Sequence, residues 1–301
     1  MAEGYGKIYE STWWGDTTNS IYWGSVYADL AGGGFTGLLD TYSGAAAAYS
    51  LRQLSSSYSG NAVRVRRASD NTEQDIGFAN NELDTTSLET FCSGTNGFVT
   101  TWYDQSGNGV NLTQSTASDQ SQIVSSGSAI LEGGKPCLDY NIDEYSSSYE
   151  MSDDSSFLIS MVFRVDVQKD SNPRYLGLVS STINLQVGHN GDSKYFIRKD
   201  SVTNTSDNAY TTTGSRNLLS WGASSDSLYF GLNGSNVGFT GTGAPTADSN
   251  RNNGITLFKG YTTSSFYAQE GNIQELIIYE ADESTNRTGI ETNINTHYSI
   301  Y

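Results

Sequence analysis

The sequence predicts an all-β fold: two antiparallel sheets packed face to face, with a short helix near the start, a C-terminal helix and an extended N-terminal arm. Three observations carry this. The 301 residues hold 32 Gly and 20 Tyr but only 3 Pro and 16% charged residues, a composition of strands and turns. The second half alternates short apolar runs with joints rich in Gly, Asn, Asp and Ser. Helical apolar spacing is confined to two short stretches.

The elements follow in order. Residues 1–34 form an aromatic arm ending in the Gly-rich joint AGGG. The arm holds Tyr5, Tyr9, Trp13, Trp14, Tyr22, Trp23 and Tyr27, with no pattern that would bury them within the arm, so a subunit or partner contact is expected there. Residues 35–301 form one sandwich domain. A helix is expected over 43–54, where Ala47, Leu51 and Leu54 recur at i, i+4, i+7 and Gly60 stops it. A strand over 62–67 sets Arg64 and Arg66 on one face, opposite Val63 and Val65. Pairing with Asp70, Asp75 or Asp104 is the expected fate of these arginines. Further strands are expected at 157–166, 174–180, 183–188, 194–198, 218–223, 227–232, 255–258 and 273–279. The terminal helix carries Ile290, Ile294 and Tyr298 on one face, with Asp282 and Glu283 before it, where the helix dipole favours negative charge.

A formal net charge of −17 argues against nucleic-acid binding, which needs Lys and Arg to displace counterions. No apolar run approaches the roughly 18 residues of a spanning helix and no signal-peptide pattern opens the chain, so the reading is a soluble protein without membrane insertion. Cys92 and Cys137 sit among apolar neighbours and are expected as free, buried thiols. His189 and His297 are the two histidines and fit no metal-ligand spacing. The Asp-rich stretches 151–156 and 248–254 offer the oxygen ligands that calcium takes but match no defined spacing. No cofactor or metal is expected.

Two motifs carry a family resemblance: GFVTTWYDQSGNGVNLTQ at 97–114 and NAVRVRRASDN at 61–71. Together they resemble the core of the jelly-roll domain in family-54 glycoside hydrolases, the arabinofuranosidase B enzymes, a block also found in phage and bacterial surface proteins. The closing strand and helix resemble the end of concanavalin-like and laminin-G-like sandwiches. Within the first motif, Asp104 and Gln105 are expected to bond backbone groups of their own turn, Gly107 to supply a permissive φ, and Trp102 and Tyr103 to pack on opposite sides of the strand end. In the family, the acid/base aspartate lies in a Gly-Gly-Asp-Asn loop before a Thr-Phe-Phe/Tyr-Glu-Gly segment. Here Gly260, Phe266, Tyr267, Glu270 and Gly271 keep that frame, while Tyr261 and Thr262 stand in the aspartate's place. The counterpart of the family's nucleophile segment, YLGLVSST at 175–182, has no acid, and a pair of adjacent cysteines is absent. The resemblance therefore implies the fold without the chemistry.

The arm also resembles the N-termini of structural proteins of tailed phages. The expectation is thus a non-catalytic virion protein, made in the host cytoplasm: a capsid decoration, head fibre or tail fibre. The arm would anchor it to other virion proteins as a homo-oligomer, a trimer, and Tyr145, Tyr149, Tyr210 and Tyr261 would offer stacking faces to a bacterial surface glycan. The alternatives are a glycoside hydrolase or polysaccharide depolymerase of this fold, and a bacterial carbohydrate-binding module.

Overall fold

The structure is a computed structural model that describes residues 34–141, 145–147, 149, 156–168, 174–179, 184–190, 192, 194–199, 202–210, 213–224, 227–240, 255–257 and 269–301. The chain divides into Met1–Thr36 and Gly37–Tyr301, and the second unit is the one described below. The seven aromatic residues of the arm, Tyr261, and residues 151–155 and 248–254 lie outside the described residues.

The chain folds mostly into antiparallel strands, in two series. In the first, the long strand Phe157–Gln168 pairs along its length with Gln269–Tyr279 on one side and with Arg216–Ser224 on the other. Ser227–Leu232 adds beyond Arg216–Ser224. The free edge of Gln269–Tyr279 is shared: Ala45–Ser50 lies against Glu275–Tyr279 and Leu138–Asn141 against Glu270–Ile273. The second series runs Glu73–Ile76, Val63–Arg67, Gly97–Trp102, Leu112–Thr113, Tyr145–Ser146, Ile255–Leu257, Arg174–Val179, Asn184–His189, Tyr195–Lys199 and Val202–Ser206. Gln122–Ser125 joins the two series, pairing with Gly97–Trp102 and with Leu138–Asn141.

Side-chain alternation sorts the long strand onto two faces. Ile159, Met161, Phe163 and Val165 enter the main core with Tyr49, Trp102, Tyr175 and Trp221. Leu158 and Val162 point the other way, into a second cluster with Leu218, Ile277 and Tyr279, against which the terminal helix Arg287–Tyr298 lays Ile290, Ile294 and Tyr298. No helix among the described residues is long and apolar enough to cross a membrane.

The helix expected over 43–54 is a correction. Residues Ala45–Ser50 are a strand. Ala47 and Tyr49 face the main core while Ala45 and Ala48 face the second cluster, and a run buried on both faces carries no period that separates strand from helix. His189 ends the strand Asn184–His189, fully buried, with the Tyr175 hydroxyl at its Nδ1. Cys92 and Cys137 are buried and unbridged.

One buried ion pair locks the closing strand to its neighbours. Arg52 donates through Nε (2.7 Å) and Nη2 (2.9 Å) to both carboxylate oxygens of Glu275, and Ser50 Oγ (2.7 Å) adds a third donor. Burial works against the Glu275 charge, but the Arg52 charge and these hydrogen bonds outweigh it and hold the carboxyl below its usual range. His297, on the helix above, is pushed down to about 4 by burial first and then by the Arg52 charge.

Removing one member of such a pair strands the other charge, so Arg52→Met should lower stability by about 3–5 kcal/mol, whereas Arg52→Met with Glu275→Leu should recover most of it. Urea unfolding measures both. His297 contributes with a definite sign. The unfolded imidazole takes its proton near 6.5 and the folded one only near 4, so the unfolded state binds more protons between those values. That stability is complete above about pH 6.5 and lost as pH falls through about 4. His297→Gln should flatten this part of the stability profile.

Candidate active site

The Asp104–Gln105 pair sits in the loop after Gly97–Trp102, and both residues are buried. Asp104 Oδ1 accepts from the backbone N–H groups of Ala48 and Ser106, both at 2.9 Å; Oδ2 accepts from Ser106 Oγ (2.7 Å) and Val110 N (3.1 Å). All four acceptor positions of the carboxylate are taken, which leaves it no capacity to act on a substrate. Gln105 reaches beyond its own turn. Its Oε1 accepts from Leu54 N (2.8 Å) and its Nε2 donates to the carbonyls of Ser50 (2.9 Å) and Arg52 (3.0 Å). Gly107 has φ +91°. Trp102 is buried in the core, and Tyr103 turns outward to donate to Asp75 Oδ1 at 2.7 Å.

The strand arginines divide. Arg64 meets Glu73 at 2.6 Å and Asp75 at 3.5 Å, and Arg67 takes Asp70 at 2.6 Å. Arg66 bonds Gln120 and Asn71, not an acid, and lies over Phe98.

Burial corrects two of the expected glycan platforms, Tyr145 and Tyr149. Tyr145 is fully buried, its hydroxyl accepting from Ser121 N (3.0 Å) and donating to the Val99 carbonyl (2.8 Å). Tyr149 is buried and donates to Glu280. Tyr210 is half-buried against the Tyr195 ring. In a chain with 20 Tyr, these rings fill the space between the sheets.

A different face gathers reactive groups. Leu138 and Tyr140 point into the core, so Asp139 points outward. Directly opposed residues of an antiparallel ladder share a face, and the register aligns Gln122, Asp139, Asn272, Arg164 and Arg216 across four adjacent pairings. Glu270, opposite Asn141, stands on the same face two residues from Asn272. Arg164 donates from Nη2 to Asp166 Oδ2 at 2.9 Å, with Nε 2.8 Å from Oδ1 in the same ion pair, and also donates to Glu132. Asn272 is 5% exposed. Its amide group lies 3.5 Å from Glu132, and its Oδ1 has no hydrogen-bond partner among the described residues.

Asp139 is the group whose ionisation this arrangement controls. Desolvation by the surrounding protein raises its pKa first, Asp166 and Glu270 raise it further, and Arg164 pulls it back. Among the described residues no hydrogen bond reaches its carboxyl group. Asp139 and Glu270 were passed over at the sequence level among 33 acids; the usable signals were the alternation of LDYN and the place of Glu270 in the family frame. Among the described residues, no group of His, Cys, Asp and Glu is arranged to hold a metal ion.

The architecture is that of an antiparallel β-sandwich, and comparison with known proteins agrees with that fold. The family model for the catalytic domain of α-L-arabinofuranosidase B matches residues 40–133. A glutamate-to-glutamine mutant of a family-54 α-L-arabinofuranosidase, soaked with 4-nitrophenyl α-L-arabinofuranoside, aligns at TM-score 0.60 and 18% identity, over 83% of this chain and 62% of that one. The same coverage, TM-score 0.59 and 17% identity relate it to a family-54 enzyme soaked with a cyclic sulfate inhibitor. An arabinofuranosidase complexed with arabinofuranosyl-α-1,2-xylobiose aligns at TM-score 0.55 and 18% identity, again over 83% and 62%. The chain thus spans 62% of the length of these solved enzymes. No curated protein matches it.

These matches overturn the expectation of a non-catalytic protein, since the family model is that of a catalytic domain and the aligned structures are glycoside hydrolases. The expected loss of catalytic carboxylates rested on Tyr261 and Thr262, which lie outside the described residues, and on the segment 175–182, of which residues 180–182 do. The virion role rested on the arm, also outside them.

Asp104→Asn should cost about 2–3 kcal/mol, because its amide would face donors that then lack an acceptor. Activity per folded molecule should not change, and thermal melts run beside turnover assays separate the two effects.

Proposed function

We propose that this chain is a glycoside hydrolase in which Asp139 is the proton donor and Glu270 the partner carboxylate. The observation that carries the reading is the Asp139 carboxyl group: accessible, free of hydrogen bonds among the described residues, and raised in pKa by its surroundings and two neighbouring acids. An environment that raises the pKa of one acid is what a glycosidase acid needs.

Glu270 is a diagonal neighbour of Asp139 across one strand pairing, a relation that separates backbone positions by about 7–8 Å. Glycosidase carboxyl pairs work over about 5–9.5 Å. Asp139 would give its proton to the leaving oxygen as the glycosidic bond breaks, and the Glu270 carboxylate would act at the anomeric carbon, directly or through a water molecule. Asp166, clamped by Arg164, would add its carboxylate to the face where positive charge develops on the sugar. The similarity to arabinofuranosidases favours α-L-arabinofuranosides as substrates.

The test is release of 4-nitrophenol from 4-nitrophenyl α-L-arabinofuranoside and of reducing sugar from arabinosylated xylan. The whole chain should turn over at least one of them, and Asp139→Asn or Glu270→Gln should each lower kcat about 10²–10⁴-fold. Absence of turnover, or full activity in both variants, would refute the assignment. The pH profile gives an independent sign. Activity needs protonated Asp139 and falls as pH rises through its pKa; Arg164 lowers that pKa, so Arg164→Met should move the alkaline limb to higher pH.

A further inference from the structure

The loop after Gly97–Trp102 carries a reactive pair of its own. Asparagine followed by glycine occurs at Asn96, Asn108, Asn190, Asn233 and Asn253. Such a pair can modify itself: the backbone nitrogen of the glycine bonds to the side-chain Cγ, the Cγ–Nδ2 bond breaks, and ammonia leaves with the proton from that nitrogen. A succinimide ring remains. Water opens it at either carbonyl, giving aspartate or, with the chain rerouted through the side chain, isoaspartate. Glycine permits the attack because no Cβ shields its nitrogen.

The fold discriminates among these pairs. Asn233 is held at both ends, its Oδ1 accepting from Leu218 N (2.9 Å) and its Nδ2 donating to Asn217 Oδ1 (3.1 Å), and the Tyr301 ring lies over Gly234. Asn96 Oδ1 accepts from Ser126 N (2.8 Å), and Gly97 is buried at the start of its strand. Asn190 Oδ1 accepts from Asp192 N and Lys194 N, both at 3.0 Å. Asn253 lies outside the described residues.

Asn108 and Gly109 are open instead. Both residues are exposed, and a Cβ on Gly109 would meet nothing within 4 Å. Among the described residues neither the Gly109 N–H nor Asn108 Oδ1 makes a hydrogen bond, so water and base reach the nucleophile and the oxygen on which negative charge develops. Nδ2 donates to the carbonyls of Ala45 (3.1 Å) and Ala46 (3.0 Å). Those two contacts strengthen as the departing nitrogen takes up its proton, because a charged donor bonds more strongly than a neutral one.

From this geometry we infer that Asn108–Gly109 is a self-deamidation site whose product unseals the edge of Ala45–Ser50. A carboxylate only accepts hydrogen bonds, so oxygen would face oxygen at Ala45 and Ala46 where an amide now donates twice. The new charge would also enter the loop that holds the buried Asp104 carboxylate. The site is independent of the Asp139–Glu270 carboxylates.

Ageing the whole chain in neutral and in mildly alkaline buffer tests this, read by mass spectrometry of chymotryptic peptides, which divide Asn96 from Asn108 at Trp102 and Tyr103. Asn108 should exchange its amide for a carboxylate about tenfold faster than Asn96 and Asn233, the equivalent of one or two hydrogen bonds that those residues must first break. The rate should rise in alkali, which removes the Gly109 proton. The aged protein and Asn108→Asp should melt about 2–6 °C below the parent and exchange the amide hydrogens of Ala45–Ser50 faster. Asn108→Gln, whose longer side chain closes a less favourable ring, should resist ageing. If Asn108 reacts no faster than Asn96 and Asn233 in the folded chain, the site is refuted. If Asn108→Asp melts and exchanges as the parent does, the unsealing is refuted. Ageing is measured on the unaltered chain, so that result stands even where Asn108→Asp fails to fold.

Discussion

The structure depends on a loop acting as a substitute strand. Among the described residues Ala45–Ser50 pairs as a strand on one edge only, with the closing strand, and an unpaired edge exposes a row of N–H and C=O groups. Here side chains and backbone from the Asp104 loop take those groups. Asp104 accepts from Ala48 N, Gln105 N donates to Ala48 O (2.7 Å), Gln105 Nε2 serves the Ser50 and Arg52 carbonyls, and Asn108 reaches the carbonyls of Ala45 and Ala46. Each buried group left unserved would cost about 1–3 kcal/mol. The loop issues from Gly97–Trp102 in one strand series and seals the edge of the other, so Trp102 and Tyr49 meet at the junction with ring centroids 5.8 Å apart.

With that edge fixed, the closing strand is split into two environments. From Glu275 to Tyr279 it faces the terminal helix and carries the Arg52 ion pair and the second apolar cluster. From Glu270 to Asn272 none of the described helices lies over the same strand, and its outward residues join the row of Asp139, Asn272 and Arg164. Arg216 marks the boundary. It donates to Ser299 O at the end of the helix and to Glu132 O beside the polar row, placing a cation where the helix dipole is negative. The helix therefore covers one half of the strand and leaves the proposed carboxylate pair on the other.

Much of this was legible in the sequence because strands buried on one face alternate. The expected strand at 227–232 has the observed bounds, and the one at 157–166, though buried on both faces, was legible from its β-branched and aromatic residues and differs only at its end. The AAAAY run, also buried on both faces, failed because alanine carries no such strand preference. The Asp104 motif was legible as structural chemistry, but its reach to Leu54 and Arg52 was not, since nothing in local spacing says which distant carbonyl a glutamine amide will meet. Tyr145 and Tyr149 could not be told from surface tyrosines, because a ring with one polar atom suits a core that supplies a backbone partner as well as it suits a glycan. The carboxylate pair was hidden by abundance: Asp139 and Glu270 lie 131 positions apart, and only the register brings them together.

The acidity that hid the pair is also what makes it serviceable. A lone aspartate on an open sheet face ionises below pH 5 and cannot donate a proton near neutrality. Around Asp139, Asp166 and Glu270 oppose a further negative charge, while Arg164, the cation that would cancel them, is already committed to Asp166 and Glu132. The clamp holds the Asp166 side chain in place, and it limits how much of the guanidinium's field relieves Asp139. Neutralising the surplus acids elsewhere on the surface would act on solubility. Neutralising Asp166 would act on the proton of Asp139, because only there does like-charge repulsion work at the distance of neighbouring side chains, where bulk salt screens it least.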